Sequence, residues 1–154
     1  MKLKIGKLAP EFSLPDQEGT IHNLSDYRGN WVLVYFYPND FTPGCTAEAC
    51  NLRDAFPAFN KTGARVLGIS INSPESHRRF AEKYNLPFIL LSDSKKKVVK
   101  LYGVWVSKKF MGREFLGIKR TSFLISPEGK IAKIYETVKP TIHAQEVLGD
   151  LESR

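Results

Sequence analysis

Apolar and polar positions follow two rhythms along this chain, and each change of rhythm marks an element. Trp31-Val-Leu-Val-Tyr-Phe-Tyr37 is apolar throughout and rich in β-branched and aromatic residues, which predicts a central strand covered on both faces. Pro38 ends it. Beyond the loop from Pro38 to Gly44, residues Ala49, Leu52, Phe56 and Phe59 recur at spacings of three and four, a helical stripe that Pro57 kinks or ends early. That places Cys45 at a helix start. Ala64-Arg-Val-Leu-Gly-Ile-Ser-Ile71 predicts the next core strand, and Ser73-Pro74-Glu75 supplies an N-cap, a first-turn proline and an acid for a helix carrying Phe80 and Tyr84.

A short strand at Phe88 to Leu91 leads to a capping cluster, Ser92-Asp93-Ser94, and a short helix through Val98 and Leu101 that Gly103 closes. Thr121 to Ile125 and Lys130 to Tyr135 flank the turn Ser126-Pro127-Glu128-Gly129 and predict a hairpin; a terminal helix from Ile142 to Leu151 follows. At the front, Phe12 to Leu14 and Ile21 to Leu24 flank Pro15-Asp16-Gln17-Glu18-Gly19, a second small hairpin. Val104 to Ile118 has no clear period. Strands alternating with helices predict an α/β protein built on one mainly parallel sheet.

The length, 154 residues without repeats or linkers, fits one domain over residues 1–154. With 42% hydrophobic and 25% charged residues, the composition excludes disordered and low-complexity classes. The longest apolar run, Trp31 to Tyr37, is far short of the roughly 20 residues of a membrane span. The basic start Met1 to Lys7 runs directly into Leu8-Ala9-Pro10-Glu11 with no apolar stretch behind it, so no secretory signal and a cytoplasmic location are expected.

The net charge is +7, and Lys95 to Lys139 contains twelve Lys or Arg against three Glu. A solvated face explains such an excess. The rival, a nucleic-acid footprint, lacks any accompanying motif, and no nucleic-acid partner is expected. His22, His77 and His143 lie far from the cysteines in sequence and show no metal-ligand spacing, so surface positions and no metal site are expected.

Cys45 and Cys50 are the two cysteines. Paired thiols in a reducing compartment usually do chemistry, although two small buried hydrophobes are the plain alternative. A cysteine attacks as thiolate, and a thiol with the ordinary pKa near 8.5 is ionised only to a few per cent at neutral pH. A helix start supplies unpaired amides and a positive dipole end to favour the anion. Thr42 has a hydroxyl able to donate to the sulfur, and Pro38 and Pro43 stiffen a collar that limits water. A fixed positive charge is still needed, and Arg120, at the mouth of the strand Thr121 to Ile125, is the candidate.

Pro38-Asn-Asp-Phe-Thr42-Pro-Gly-Cys45 matches the Pro-x-x-x-Thr-x-x-Cys motif of peroxiredoxins, and the longer string ending Thr46-Ala-Glu-Ala-Cys50 resembles their bacterioferritin-comigratory or Q subfamily. The resemblance extends over nearly the whole chain. It includes Gly6-x-x-Ala9-Pro10-x-Phe12, Tyr102-Gly-Val-Trp105, Phe110-Met-Gly112, Gly117-Ile-x-Arg120 and Phe123-Leu-Ile125. It implies a thioredoxin-like fold with an N-terminal β-hairpin extension and a central mixed sheet flanked by helices. It also implies thiol-based reduction of hydroperoxides without metal, haem or flavin.

By that resemblance Cys45 is the peroxidatic cysteine, Thr42 and Arg120 are its activating partners, Pro38 is the shielding proline and Cys50 is the resolving cysteine. Glu48 matches an acid that orients the arginine in many relatives; a first-turn Glu favourable to the helix dipole is an equal reading. Tyr102 and Trp105 match family positions but read as packing. The resemblance implies a hydroperoxide substrate, a thioredoxin-like reductant and a monomer. A thiol-disulfide oxidoreductase, the nearest rival enzyme, would carry Cys-x-x-Cys, whereas here four residues separate the pair. On one regular helix that spacing is about 7.5 Å along the axis, too far for a disulfide without backbone movement.

Overall fold

The computed structural model describes residues 3–153; Met1 and Lys2, part of the basic start, and Arg154 lie outside the described residues. Strands β3 (Val32–Phe36), β4 (Arg65–Ser70), β5 (Ile89–Ser92), β8 (Thr121–Ile125) and β9 (Ile131–Tyr135) form a five-stranded sheet in the order β5-β4-β3-β8-β9. β1 (Ser13–Pro15) with β2 (Ile21–Asn23), and β6 (Trp105–Phe110) with β7 (Arg113–Ile118), make two separate hairpins. The helices are α1 (Pro43–Asp54), α2 (Phe56–Thr62), α3 (Pro74–Tyr84), α4 (Lys97–Leu101) and α5 (His143–Glu152).

The mainly parallel sheet expected from the apolar pattern is corrected to a mixed one, as the family resemblance implied. β3 pairs parallel with β4, and β4 with β5, because helical crossovers connect them; β8 runs antiparallel to both β3 and β9. The cause is the stretch without a clear period. It folds as the β6–β7 hairpin instead of a crossover helix and turns at Met111-Gly112, both at positive φ (52° and 79°), as a two-residue hairpin turn requires.

β3 is covered on both faces, as its composition predicts. Val32, Val34 and Phe36 face a core shared with Phe12, Leu14, Val98, Tyr102 and Phe123, whereas Leu33, Tyr35 and Tyr37 face Cys45, Ala49, Leu52, Phe59, Phe80 and Val147. Period-two alternation on a single strand thus divides the molecule into two cores. Pro57 does what its ring dictates: α1 stops at Asp54, and α2 restarts with the proline in its first turn. Ser73 caps α3 as expected, accepting from the Ser76 amide at 3.1 Å. The cap of α4 differs. Lys96 precedes the helix in the left-handed region, while Asp93 reaches across to accept from the Val99 amide at 2.8 Å.

Candidate active site

β3 delivers the chain to the edge of the sheet, where Pro38 breaks it and the loop to Thr42 feeds α1. Cys45 is the third residue of α1 and is 1% exposed. The apolar stripe Cys45, Ala49, Leu52 seats this helix on the sheet, so packing carries the sulfur inward. From the far side, β8 begins directly after Arg120. The Arg120 guanidinium donates from Nη2 to Cys45 Sγ at 3.4 Å and from Nη1 to Glu48 Oε1 at 2.6 Å. One planar fork therefore holds the thiol and the acid one helical turn beyond it. Burial opposes the charge on Arg120, but Glu48 and the Cys45 sulfur outweigh it and hold the group charged to higher pH than usual.

Glu48 is fully buried. Removal from water pushes its carboxyl up from 4.5 to about 7 against the pull of Arg120, and Oε2 has no hydrogen-bond partner among the described residues. Of the two readings of Glu48, the arginine partner is the one this geometry matches. Gly44 lies against the same guanidinium: a Cβ there would sit 3.0 Å from Arg120 Nη2, so the glycine gives the arginine room to reach the sulfur. The spacing of the motif contains that glycine but not its reason.

Thr42 departs from expectation. Its hydroxyl donates to the Asn39 carbonyl at 2.9 Å and not to the sulfur, because as the extended residue before α1 it turns its side chain back over the loop. Pro38 is half-buried at the end of β3, and Cys50 is partly exposed five residues along the unbroken helix. Both cysteines are free thiols. Tyr102 and Trp105 stay out of the site: Tyr102 packs on Phe123 and donates to the Pro10 carbonyl at 2.6 Å, and Trp105 lies under Lys96.

The histidine expectation is overturned. His77 and His143 are fully buried and His22 is partly buried, each with both ring nitrogens partnered. His77 belongs to the active-site loop by contact. The Asp40 carboxylate accepts from Tyr37 Oη at 2.6 Å and Ser76 Oγ at 2.8 Å and pairs with His77 Nδ1 at 2.8 Å, while His77 Nε2 donates to the Leu91 carbonyl at 2.9 Å. The Asp40 amide donates to Asn72 at 3.0 Å. Lys108, on β6, carries no signal in the linear pattern, yet it feels the site. Burial, then repulsion from Arg120, holds its ammonium below the usual range, while attraction to Cys45 works the other way. A cavity of about 560 Å³ lies elsewhere, between the front hairpin and α4, and Cys45 does not line it.

Comparison with known proteins gives the arrangement its context. Residues 5–134 match the model of the AhpC/TSA family. Peroxiredoxin Bcp of Escherichia coli K12 is 51% identical over 150 residues, covering 97% of this chain and 96% of the relative. Peroxiredoxin Bcp of Bacillus subtilis is 43% identical over 152 residues, covering 99% of this chain and 97% of the relative. Among solved structures, a cysteine-to-serine mutant of Xylella fastidiosa PrxQ superposes with a TM-score of 0.93 at 34% identity, covering 99% and 98% of the two chains. Peroxiredoxin Q of Xanthomonas campestris superposes with a TM-score of 0.88 at 38% identity, covering 93% of this chain and 90% of its own. With its sheet, its front hairpin and its buried cysteine at a helix start, this chain belongs to the AhpC/TSA family, among the Bcp and Q-type peroxiredoxins, and is a peroxidase.

Proposed function

We propose that this peroxidase reduces hydrogen peroxide and organic hydroperoxides through a sulfenic acid on Cys45, resolves it with Cys50 as an intramolecular disulfide, and is recycled by a thioredoxin-like dithiol. The observation that carries the reading is the Arg120 fork, 3.4 Å from Cys45 Sγ and 2.6 Å from Glu48. A guanidinium so placed donates to the attacking sulfur and stands ready for the oxygen that takes up negative charge as the O–O bond breaks. The first-turn amides of α1 add partial positive charge on the same side. The Pro38–Thr42 loop forms the collar, with Thr42 at its end.

The thiolate attacks one peroxide oxygen, the O–O bond breaks, and the departing oxygen takes a proton to leave as water or alcohol. Cys45 keeps the other oxygen as sulfenic acid. The Cys50 thiol then displaces that oxygen as water and the S–S bond forms, which a dithiol reopens by exchange. The bacterioferritin comigratory protein of Xanthomonas campestris, a structural relative, has an alkyl peroxide reduction activity, which supports organic hydroperoxides as substrates here. A reducing, cytoplasmic compartment suits two free thiols.

Mass measurement after one equivalent of peroxide tests this. The wild type is expected to lose two hydrogens, and Cys50→Ser to gain one oxygen and stop. Cys45→Ser should consume no peroxide. Full thioredoxin-coupled turnover by Cys50→Ser would remove Cys50 from the scheme, and turnover by Cys45→Ser would remove the scheme itself.

A further inference from the structure

The two halves of α1 are held very differently. The N-terminal half starts poorly for a helix: Thr42 gives no side-chain cap, Pro43 has no N–H, Gly44 follows, and the first turn has no acidic residue. Its polar ties run to Arg120 through Cys45 and Glu48, the group that oxidation of the sulfur disturbs. The C-terminal half, by contrast, is pinned on both flanks. Asn51 Oδ1 accepts from the Ala144 amide at 2.8 Å, and its Nδ2 donates to Gln145 Oε1 at 3.0 Å. Arg53 Nη1 donates to the Tyr84 carbonyl, the last of α3, at 2.8 Å, and Leu52 between them is fully buried.

The Asn51 contact does a second job. α5 has no side-chain cap of its own at Ile142, and Ala144 is fully buried, so Asn51 caps α5 from the neighbouring helix. Cys50 is the residue immediately before this pinned turn.

We propose that Asn51 and Arg53 are positioning residues for the resolving step: they keep the last turn of α1 on α5 and α3 while residues 43–50 unwind, so that Cys45 travels and Cys50 stays at the fixed end. The inference rests on Cys45 and Cys50 being the reacting pair. It locates the boundary that the disulfide requires, since sulfurs five residues apart on a helix do not meet while it is intact. A single isolated turn does not hold itself together. The ties of Asn51 and Arg53 therefore matter little when α1 is whole and decide whether Asn51–Asp54 stays helical once the first turns are gone.

Amide hydrogen exchange read by mass spectrometry, on the reduced and peroxide-oxidised full chain, tests the boundary. Oxidation should raise exchange of the amides up to Asp54, whose helical acceptors are carbonyls no later than Cys50, and leave protected both Ala55, whose amide donates to the Asn51 carbonyl at 3.2 Å, and Ala144. In Asn51→Ala, which takes the acceptor from the Ala144 amide in either redox state, oxidation should additionally raise exchange at Ala55 by about five- to tenfold, with little change at Ala55 in the reduced form. Asn51→Asp keeps the acceptor for Ala144 and should behave as the wild type. A purely structural role would raise exchange at Ala55 equally in both redox states, and that result overturns the proposal. Loss of protection at Ala55 and Ala144 in the oxidised wild type overturns it without any variant. Absence of the Cys45–Cys50 disulfide from the oxidised wild type would instead overturn the underlying assignment, and this inference with it.

Discussion

Arg120 serves two acceptors with one guanidinium, and that is why a lysine there is not a conservative change. An ammonium is a point charge without a fork, so it cannot hold Glu48 Oε1 and Cys45 Sγ in the same plane. Arg120→Lys should lower kcat/KM for a hydroperoxide by about a hundred- to a thousandfold, the range for loss of a preorganised donor to a developing oxyanion. Steady-state assays with a recycling dithiol check this, and a loss under about threefold would place the guanidinium outside the reaction. Glu48 leaves a different mark. The folded protein keeps its carboxyl protonated up to about pH 7, whereas an ordinary carboxyl ionises near 4.5, so between those values the native state binds more protons than the unfolded chain. Stability contributed by this group is full below pH 4.5 and falls as pH rises towards 7, on the order of 3 kcal/mol across the window. Urea unfolding of wild type and Glu48→Gln between pH 4.5 and 7.5 should show the wild type losing ground to the variant; a constant difference would show that Glu48 does not titrate there.

The loop between β3 and α1 is held by the group least visible in the sequence. Local chemistry and motif spacing point at Pro38, Thr42 and Cys45 in the sequence, although the expected contact of Thr42 with the sulfur is replaced by one to the Asn39 carbonyl, and the cap Ser73-Pro74-Glu75 makes α3 legible. His77 is not. In the linear pattern it reads as one more polar position on α3, and only Asp40, 37 residues earlier, makes it a buried partner. The same limit hid Gly44's role, which depends on a guanidinium that arrives from β8. A buried pair of this kind is costly to break on one side and much less so to replace on both. His77→Leu should lose about 3–5 kcal/mol of unfolding free energy, and the double variant Asp40→Ala/His77→Leu, which also takes the acceptor from Tyr37 Oη, should lose well under the sum of the two single losses. Denaturant unfolding of the four proteins measures the coupling, and a coupling below about 0.5 kcal/mol would show that Asp40 and His77 are not an energetic unit.

At the scale of the whole molecule, the pattern revealed the βαβ half of the sheet and the two outer hairpins. It missed the β6–β7 hairpin because those strands expose residues on both faces and so lack a two-residue period. That omission alone turned a mixed sheet into a mainly parallel one. The mixed sheet matters for function because an antiparallel β8 begins on the same edge at which β3 ends, which brings Arg120 to Cys45 across 75 residues of chain. The proposed redox cycle would set two global terms against each other. Closing a loop of six residues from Cys45 to Cys50 restricts the unfolded chain and stabilises by about 2 kcal/mol. Unwinding the first turns of α1 gives up helical hydrogen bonds of about 1 kcal/mol each, the burial of Cys45 and Ala49, and the Arg120 contacts. Several such losses exceed the one gain, so the oxidised protein should melt several degrees below the reduced one, at about 2–4 °C per kcal/mol for a chain of this size. Calorimetry of both forms measures the difference, with Cys50→Ser as the control in which the bridge cannot form and no such shift is expected. An oxidised form melting at or above the reduced temperature would mean that α1 keeps its packing when the disulfide closes.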